Sequence, residues 1–419
     1  MVRSASVRRI HSAAFLFLAL LVGGTPARAV ETVILLSFDG TTPAQIADPE
    51  LTTLARLQRQ GATAERLIPS FPSNTFPNHV TFVTGVQPER HGIVNNVFVD
   101  PERGRHSYEN DPTWLQVEPV WSLLARHGIG SAAYYWVGSQ GPWSSGYGPR
   151  HWRPFDSGTS ERKKVDQILA WLQLEDPGER PRLVTSWFHG ADSVGHRKGP
   201  DAPSVASTLR RQDAELGRLL EGLSARGLLE TTTLLLVSDH GMAPVERLVN
   251  LSEALDEAGV RASVLGAGGF ATARAGSPQD AGRAVEVARG LGLEAWLRED
   301  APLPVDNPRF GDVVVVAPVG TAIVRKGLPG KVEALLARVG HGMAGSHGHR
   351  PDHPLMSGIF VAFGAGVPRG AQLGPVRAID VAPTLLALLG VPAPEWMEGR
   401  PLLGAAVPSQ PLIEENPRP

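Results

Sequence analysis

Short, continuous apolar runs alternate along the chain with segments of helical periodicity. The first run, Thr32–Ser37, reads Thr-Val-Ile-Leu-Leu-Ser, a pattern typical of a strand that is buried on both faces of a sheet. Comparable runs lie at Ser131–Val137, Arg182–Phe188, Thr232–Ser238 and Ser357–Phe363. Helical patterns lie between or beyond them at Glu50–Arg59, Val120–Arg126, Val165–Leu172, Val205–Arg226 and Val381–Leu389. This alternation predicts an α/β fold with a central, mostly parallel sheet flanked by helices.

The pattern changes between about residues 243 and 331. Gly, Ala and short apolar runs dominate there, at Ala262–Leu265 and Asp312–Ala317, around one helical pattern at Ala281–Gly290. We expect a small inserted α+β subdomain within a single domain that spans residues 30–404. The Pro-rich segment 405–419 is expected to be a tail at the surface.

Residues 1–29 have the pattern of a secretory signal peptide. Arg3, Arg8 and Arg9 precede the apolar run Ala13–Val22, and Ala27-Arg28-Ala29 supplies a small-x-small cleavage site. The run is too short to span a bilayer comfortably. The sequence therefore predicts cleavage after Ala29 and a periplasmic or secreted protein with no stable membrane anchor.

Composition restricts the chemistry that is available. The chain has no cysteine and 13 histidines, which excludes disulfides, thiolate metal sites and cysteine nucleophiles. Four arginines and no acids lie in residues 1–29, so the remainder carries 36 basic and 42 acidic residues, a net charge of −6. A negatively charged chain is a poor partner for DNA or RNA, and we expect no specific nucleic-acid binding.

Acids and histidines follow three of the predicted strands. Asp39 follows the first strand, Asp192 and His196 follow the Arg182–Phe188 strand, and Asp239 and His240 follow the Thr232–Ser238 strand. Each alone could be a turn or a cap, but parallel strands bring their carboxyl ends to one edge of a sheet. Such ligands suit Zn²⁺ or another divalent metal, and two ions about 4 Å apart promote in-line displacement at phosphorus.

Thr75 is the candidate nucleophile. Pro77 and Asn78 suit the first positions of a helix that runs to Thr84, which places Thr75 at or just before the helix N-terminus. Free backbone N–H groups there favour a phosphate, and metal coordination would lower the pKa of the hydroxyl. The alternative is that Thr75 is an ordinary N-cap.

Several segments together resemble the nucleotide pyrophosphatase/phosphodiesterase family of the alkaline phosphatase superfamily. The likeness extends from about Glu31 to Gly399 and implies an alkaline-phosphatase-like fold. The matching segments are Leu36–Gly40, Pro69–His79, Gly85–Asn96, Asp192–Pro200, Val237–Met242, His347-Gly348 and Asn307–Asp312.

The resemblance implies a site with two Zn²⁺ ions, although other divalent metals are possible. It selects His347, where spacing alone leaves His341, His349 and His353 open. Thr75 would attack phosphorus to give a phosphothreonine, with the Asn96 amide and the Thr75 backbone N–H binding the phosphoryl oxygens. One zinc would be held by Asp39, Thr75, Asp239 and His240 and the second by Asp192, His196 and His347.

The resemblance also implies an aromatic slot for the substrate, a small phosphodiester and by preference a nucleotide. The two aromatic positions are Phe76 and Trp187, although the family's usual Tyr is replaced by Trp187, which could instead be sheet core. Phospholipid, glycerophosphodiester or choline-ester substrates and an inactive metal- or nucleotide-binding homologue remain alternatives. Sulfatase and monoesterase activities are disfavoured because no arginine lies beside Ser70 or Thr75.

Overall fold

The computed structural model describes residues 29–324 and 343–404. The predicted signal peptide up to residue 28, the predicted tail 405–419, the end of the predicted insert and His341 lie outside the described residues. The strands are β1 Thr32–Phe38, β2 Ala62–Ala64, β3 Leu67–Ile68, β4 Val97–Asp100, β5 Gly104–Ser107, β6 Ser131–Tyr134, β7 His151–Arg153, β8 Leu183–Phe188, β9 Thr232–Val237, β10 Ala243–Pro244, β11 Arg247–Val249, β12 Ala262–Ala267, β13 Phe270–Ala275, β14 Glu294–Leu297, β15 Val313–Val316, β16 Thr321–Ile323, β17 Gly345–Ser346, β18 Phe360–Gly364, β19 Ala371–Leu373 and β20 Val376–Arg377. The α-helices are α1 Thr52–Gln60, α2 Thr75–Thr84, α3 Pro88–His91, α4 Val120–Arg126, α5 Glu161–Trp171, α6 Gly190–Lys198, α7 Pro203–Ser224, α8 Leu251–Glu257, α9 Pro278–Gly290 and α10 Val381–Leu388.

Eight strands form the central sheet, in the order β19-β2-β18-β9-β1-β8-β6-β7. Strand β1 pairs in parallel with both β8 and β9, and only the pairs that involve β18 are antiparallel. The predicted α/β fold with a mostly parallel central sheet is therefore confirmed. Strand β1 lies near the middle of the sheet, so the three carboxyl ends of β1, β8 and β9 are neighbours.

The sheet is covered on both faces, as its continuous apolar strands require. Ile34, Leu36 and Phe38 of β1 pack into one buried cluster with residues of α1, α5 and α7. Val33 and Leu35, which alternate with them, pack into a second cluster with residues of α2, α4 and α10. Alternate side chains of one strand thus bury themselves under different helical layers.

A second, four-stranded antiparallel sheet lies within the region of changed pattern. Its order is β12-β13-β15-β14, and α9 packs on it to form a third buried cluster. Helix α9 begins at Pro278, three residues before the predicted helical pattern, because Ser277 caps it by accepting a hydrogen bond from Asp280 N. The limits of the insert stay a prediction, since residues 325–331 lie outside the described part of the chain.

The described residues contain no helix that is both long and apolar enough to cross a membrane.

Candidate active site and metal centre

Three carboxylates meet at the carboxyl ends of the three central strands. Asp39 follows β1 directly, Asp239 lies two residues beyond β9, and Asp192 lies in the first turn of α6, which follows β8. Gly40 makes this convergence possible, because its φ is +67° and a Cβ there would lie 3.1 Å from the Cβ of Asp192. The sheet topology therefore brings together three acids that are far apart in sequence.

Three histidines complete the cluster, and each presents the same ring nitrogen to it. The Nδ1 atoms of His196, His240 and His347 lie 2.9, 2.8 and 3.1 Å from backbone carbonyl oxygens. A carbonyl only accepts hydrogen bonds, so each ring, when neutral, carries its proton on Nδ1 and leaves a lone pair on Nε2. This is the arrangement that holds a metal-binding imidazole in one tautomer.

The Nε2 atoms face one another and the carboxylates. Nε2 of His347 lies 3.1 Å from Nε2 of His196, which lies 3.4 Å from Asp192 Oδ1. Nε2 of His240 lies 3.2 Å from Asp239 Oδ2 and 3.5 Å from Asp39 Oδ1. Lone pairs and carboxylate oxygens at such distances repel one another, so this donor set fits a cation between them.

Two overlapping groups have the spacing of metal ligands. Asp192, His196 and His347 form one, and Asp39, Asp192 and His240 form the other, with candidate ligand atoms within 4.8 Å of one another in each group. Asp39 Oδ1, Asp192 Oδ1 and Asp239 Oδ2 are buried and have no hydrogen-bond partner. These unsatisfied oxygens are the observation on which the fit of divalent cations rests. Asp192 belongs to both groups.

The pKa shifts of the buried site residues indicate that the protein's own groups do not fully balance the charge of the carboxylates. Burial, together with Asp239 and Asp192, raises the pKa of Asp39 well above its ordinary value of 3.8. Burial also favours a raised pKa for Asp239, but His240 and His79 hold the pKa of Asp239 below its ordinary value. Burial, with His240 and His196 nearby, lowers the pKa of His347 well below 6.5, which keeps this imidazole neutral. A neutral imidazole is the form that binds metal.

Thr75 occupies the first position of α2, with Asn74 as the extended N-cap. Its Oγ1 lies 3.2 Å from His240 Nε2, and the residue is 7% exposed. The predicted end of the helix at Thr84 and the place of Thr75 at its N-terminus are confirmed, and the alternative that Thr75 is the N-cap is wrong. Pro77 and Asn78 occupy the third and fourth positions of the helix rather than the predicted first positions. Pro77 is tolerated at the third position because first-turn N–H groups have no partner within a helix.

Asn96 connects the nucleophile turn to the following loop. Its side-chain Oδ1 accepts a hydrogen bond of 2.9 Å from Phe76 N, so its amide nitrogen remains as a donor. Asn95 supports this arrangement, since its Oδ1 accepts from both Asn96 N at 2.8 Å and Asn74 Nδ2 at 2.9 Å. Asn74 and Asn95 were not identified as supporting residues from the sequence. Their only signal there is their position next to Thr75 and Asn96.

The two aromatic residues assigned to a substrate slot lie mostly inside the protein. Phe76 is 4% exposed and contacts the ring of Tyr108 edge to face, with centroids 5.4 Å apart. Trp187 is 8% exposed and stacks on Phe155, with centroids 5.3 Å apart. The outer rings are open to solvent, since Tyr108 is 47% and Phe155 41% exposed. The slot itself stays a prediction.

The second sheet contacts the site through backbone. Gly269 N donates to His347 O at 2.7 Å, and His349 Nδ1 lies 2.9 Å from Ala317 O. His349 therefore anchors the loop to the insert, whereas His347 is the histidine of this run that joins the candidate metal groups. Gly348 between them has a φ of +92°, and a Cβ there would lie 2.6 Å from Asn74 Oδ1, so the loop needs glycine at this position.

His79 is the histidine closest to the site that has no assigned chemistry. It is fully buried, its Nδ1 lies 2.9 Å from Thr75 O, and the same atom lies 3.4 Å from Asp239 Oδ2. It packs against Trp136 and Trp187, with ring centroids 4.9 and 4.8 Å away. These contacts indicate a structural role for His79 beside the turn that carries Thr75.

Comparisons with known proteins point to one family. The family model described as type I phosphodiesterase/nucleotide pyrophosphatase matches residues 33–350. A protein of Schizosaccharomyces pombe named as an uncharacterized pyrophosphatase/phosphodiesterase is 32% identical over 386 residues, covering 86% of this chain and 77% of that protein. Human ectonucleotide pyrophosphatase/phosphodiesterase family member 1 is 32% identical over 197 residues, which span 46% of this chain and only 21% of the human protein.

The solved structures give the same answer for the fold. Human ectonucleotide pyrophosphatase/phosphodiesterase 5 superposes with a TM-score of 0.78 at 25% identity, covering 89% of this chain and 100% of that chain. With the family model spanning both candidate metal groups, the chain belongs to the type I phosphodiesterase/nucleotide pyrophosphatase family.

Proposed function

We propose that the protein is a metal-dependent phosphodiesterase and nucleotide pyrophosphatase that acts through a phosphothreonine intermediate. The observation that carries the proposal is the position of Thr75, whose Oγ1 lies 3.2 Å from His240 Nε2 beside the buried carboxylates. A hydroxyl at a helix N-terminus, next to two groups of candidate metal ligands, supports a role in nucleophilic attack on phosphorus.

Seven residues would hold two divalent cations, for which Zn²⁺ is the proposed identity. The bound metals would supply Lewis-acid stabilisation of phosphoryl oxygens and lower the pKa of the attacking hydroxyl. One ion would be bound by Asp39, Thr75, Asp239 and His240, and the other by Asp192, His196 and His347.

The protein's own groups position the reacting atoms. The Thr75 hydroxyl releases its proton to solvent and its Oγ1 forms a bond to phosphorus, while the bond from phosphorus to the leaving oxygen breaks and that oxygen departs with the electron pair. The second organic group stays on phosphorus. The Thr75 backbone N–H and the Asn96 amide N–H₂ donate to the phosphoryl oxygens, where negative charge develops. Attack by water on phosphorus then releases the phosphate monoester and restores the threonine hydroxyl.

The aromatic side of the site is proposed to receive the organic group of the substrate. Phe76 adjoins the nucleophile, and the exposed rings of Tyr108 and Phe155 extend the apolar surface outward from Phe76 and Trp187. A nucleobase is a flat aromatic group, and stacking on such rings contributes about 1–3 kcal/mol per base. We therefore propose nucleotides as the preferred class, with release of a nucleoside 5′-monophosphate.

Activity of the zinc-supplemented protein on a substrate panel tests this proposal. The panel contains a nucleoside 5′-aryl phosphodiester, a phosphocholine ester, an aryl phosphate monoester and an aryl sulfate. We expect the nucleotide diester to be preferred by at least about 100-fold in kcat/KM, equivalent to about 2.7 kcal/mol in the transition state. A preference for the choline ester would replace nucleotides as the substrate class, and absence of all diester hydrolysis would refute the proposed activity.

We also propose export of the protein, with cleavage after Ala29. The arginines before the apolar run and the Ala27-Arg28-Ala29 sequence support it. The named human relative is likewise an ectonucleotide enzyme. N-terminal sequencing of protein recovered from the periplasm or medium should begin at Val30, and recovery only from the cytoplasm with an intact N-terminus would contradict export.

A further inference from the structure

The indole N–H of Trp187 points into the metal centre. Trp187 Nε1 donates a hydrogen bond of 2.8 Å to Asp39 Oδ2, and both residues are buried, at 8% and 1% exposure. An indole nitrogen is a donor in every protonation state that a protein reaches. It therefore remains a donor to one carboxylate oxygen of Asp39 across the pH range of the folded protein.

The other carboxylate oxygen of Asp39, Oδ1, remains available to bind a cation. Asp39 Oδ1 has no hydrogen-bond partner and lies 3.5 Å from Nε2 of His240, a member with Asp39 of one candidate metal group. A cation that bound both oxygens of Asp39 would have to compete with the Trp187 N–H for Oδ2. The hydrogen bond thus selects a single ligand atom and its direction.

Trp187 can fix Asp39 because its own ring is held on several sides. Its backbone is in register with Ser37 in the parallel pair of β1 and β8, and its carbonyl accepts 2.8 Å from Lys164 Nζ. The ring stacks on Phe155 with an interplanar angle of 30°, and the His79 ring lies 4.8 Å away. An orienting donor needs this rigidity, since a mobile ring would not restrict the carboxylate.

We propose that Trp187 is a positioning residue for the metal centre, in which its N–H orients Asp39 so that Oδ1 alone binds the cation. The inference rests on the proposed function only in requiring a divalent cation at Asp39. It is separate from any contact between the Trp187 ring and substrate, because the ring and the N–H group can be changed independently.

Two variants isolate the N–H group. Trp187→Phe removes it while leaving an aromatic ring, and site-specific replacement of Trp187 by 3-benzothienylalanine exchanges N–H for sulfur in a ring of nearly the same shape. Phe155→Leu is the matched control, because leucine still packs against the ring on that side and leaves the N–H group, the strand register with Ser37 and the His79 contact in place. Zinc affinity is measured without substrate, by competition with a chromogenic chelator, for the parent and all three variants.

We expect zinc binding to weaken about 10- to 100-fold at one of two ions in both N–H-deficient proteins, and to be unchanged in Phe155→Leu. At saturating zinc, KM for the diester should match the parent in the benzothienyl protein. Thermal unfolding of the zinc-free proteins reports whether Trp187→Phe is folded, and the benzothienyl protein alone decides the question if it is not.

Parental zinc affinity in the benzothienyl protein would overturn the proposal, as would an equal loss in Phe155→Leu. A parent protein that binds no zinc would refute both this inference and the metal assignment. A parent that binds zinc without hydrolysing diesters would refute the proposed activity only, and the affinities would still decide the role of Trp187.

Discussion

Asn96 has two roles that substitution can separate. Its Oδ1 accepts the Phe76 N–H, which stabilises the nucleophile turn, and its amide N–H₂ is the proposed donor to the phosphoryl group. Asn96→Ala removes both interactions. Asn96→Asp keeps an oxygen acceptor for the Phe76 N–H, removes the donor, and places negative charge where the phosphoryl oxygens would lie.

The expected magnitudes follow from these contacts. Asn96→Ala leaves the backbone N–H of a residue that is 4% exposed without its partner, which costs about 1–3 kcal/mol in unfolding free energy. Loss of one donor to developing oxyanion charge costs about 2.7–4 kcal/mol, or about 10²–10³ in kcat. Asn96→Asp should therefore retain most of the stability while losing at least as much activity as Asn96→Ala.

Two assays on the same preparations test this separation. Urea denaturation gives the unfolding free energy, and steady-state hydrolysis of a nucleoside 5′-aryl phosphodiester at saturating zinc gives kcat and KM. Near-parental kcat in Asn96→Asp would show that the amide donates nothing to the transition state. Equal stability loss in both variants would show that the Phe76 contact is not what Asn96 provides.

Three further predictions concern the nucleophile, the pH dependence and the insert. Thr75→Ala should keep the fold, measured by circular dichroism, and retain bound zinc while losing diester hydrolysis; full activity would exclude Thr75 as the nucleophile. Burial, with Arg309 nearby, lowers the pKa of His106 from 6.5 to about 4, so the unfolded chain binds the proton first as the pH falls. The contribution of this group to stability is complete above pH 6.5 and falls by about 1.4 kcal/mol per pH unit between pH 6.5 and about 4. His106→Phe should therefore reduce the slope of unfolding free energy against pH by that amount. An unchanged slope would contradict the lowered pKa of His106. Arg309→Met should cost about 3–5 kcal/mol in urea denaturation, because it leaves Asp100, 2.6 Å from Arg309 Nε, buried without its cation; a cost below about 1 kcal/mol would contradict this.

The parts of the fold that could be predicted from sequence are those set by local pattern. The run at residues 32–37 is apolar at nearly every position because both faces of β1 are covered, and that pattern is readable without a structure. Strand order is not readable in this way. The antiparallel β18 carries the same apolar signal as the parallel strands, because burial alone does not encode direction.

The site residues also divide into those that local sequence pattern predicts and those that it does not. Asp39, Asp192 and Asp239 could be found from their positions after strands, because parallel strands place those ends together. His347 could not be chosen by spacing, since it reaches the site from a loop whose path depends on Gly348 and on contacts with the insert. The Trp187 hydrogen bond to Asp39 depends on the register of β1 against β8, which pairs Trp187 with Ser37. No local pattern specifies that register.

The central claim is that Thr75 forms a covalent bond to phosphorus during diester hydrolysis. Mixing the zinc-loaded protein with excess nucleoside 5′-aryl phosphodiester, quenching in acid within the first turnover and mapping peptides by mass spectrometry tests it directly. We predict a nucleotidyl adduct on the peptide that contains Thr75, located on that residue by fragmentation and absent without zinc. Turnover of the diester without any adduct on Thr75, together with inversion of configuration at phosphorus, would contradict the account.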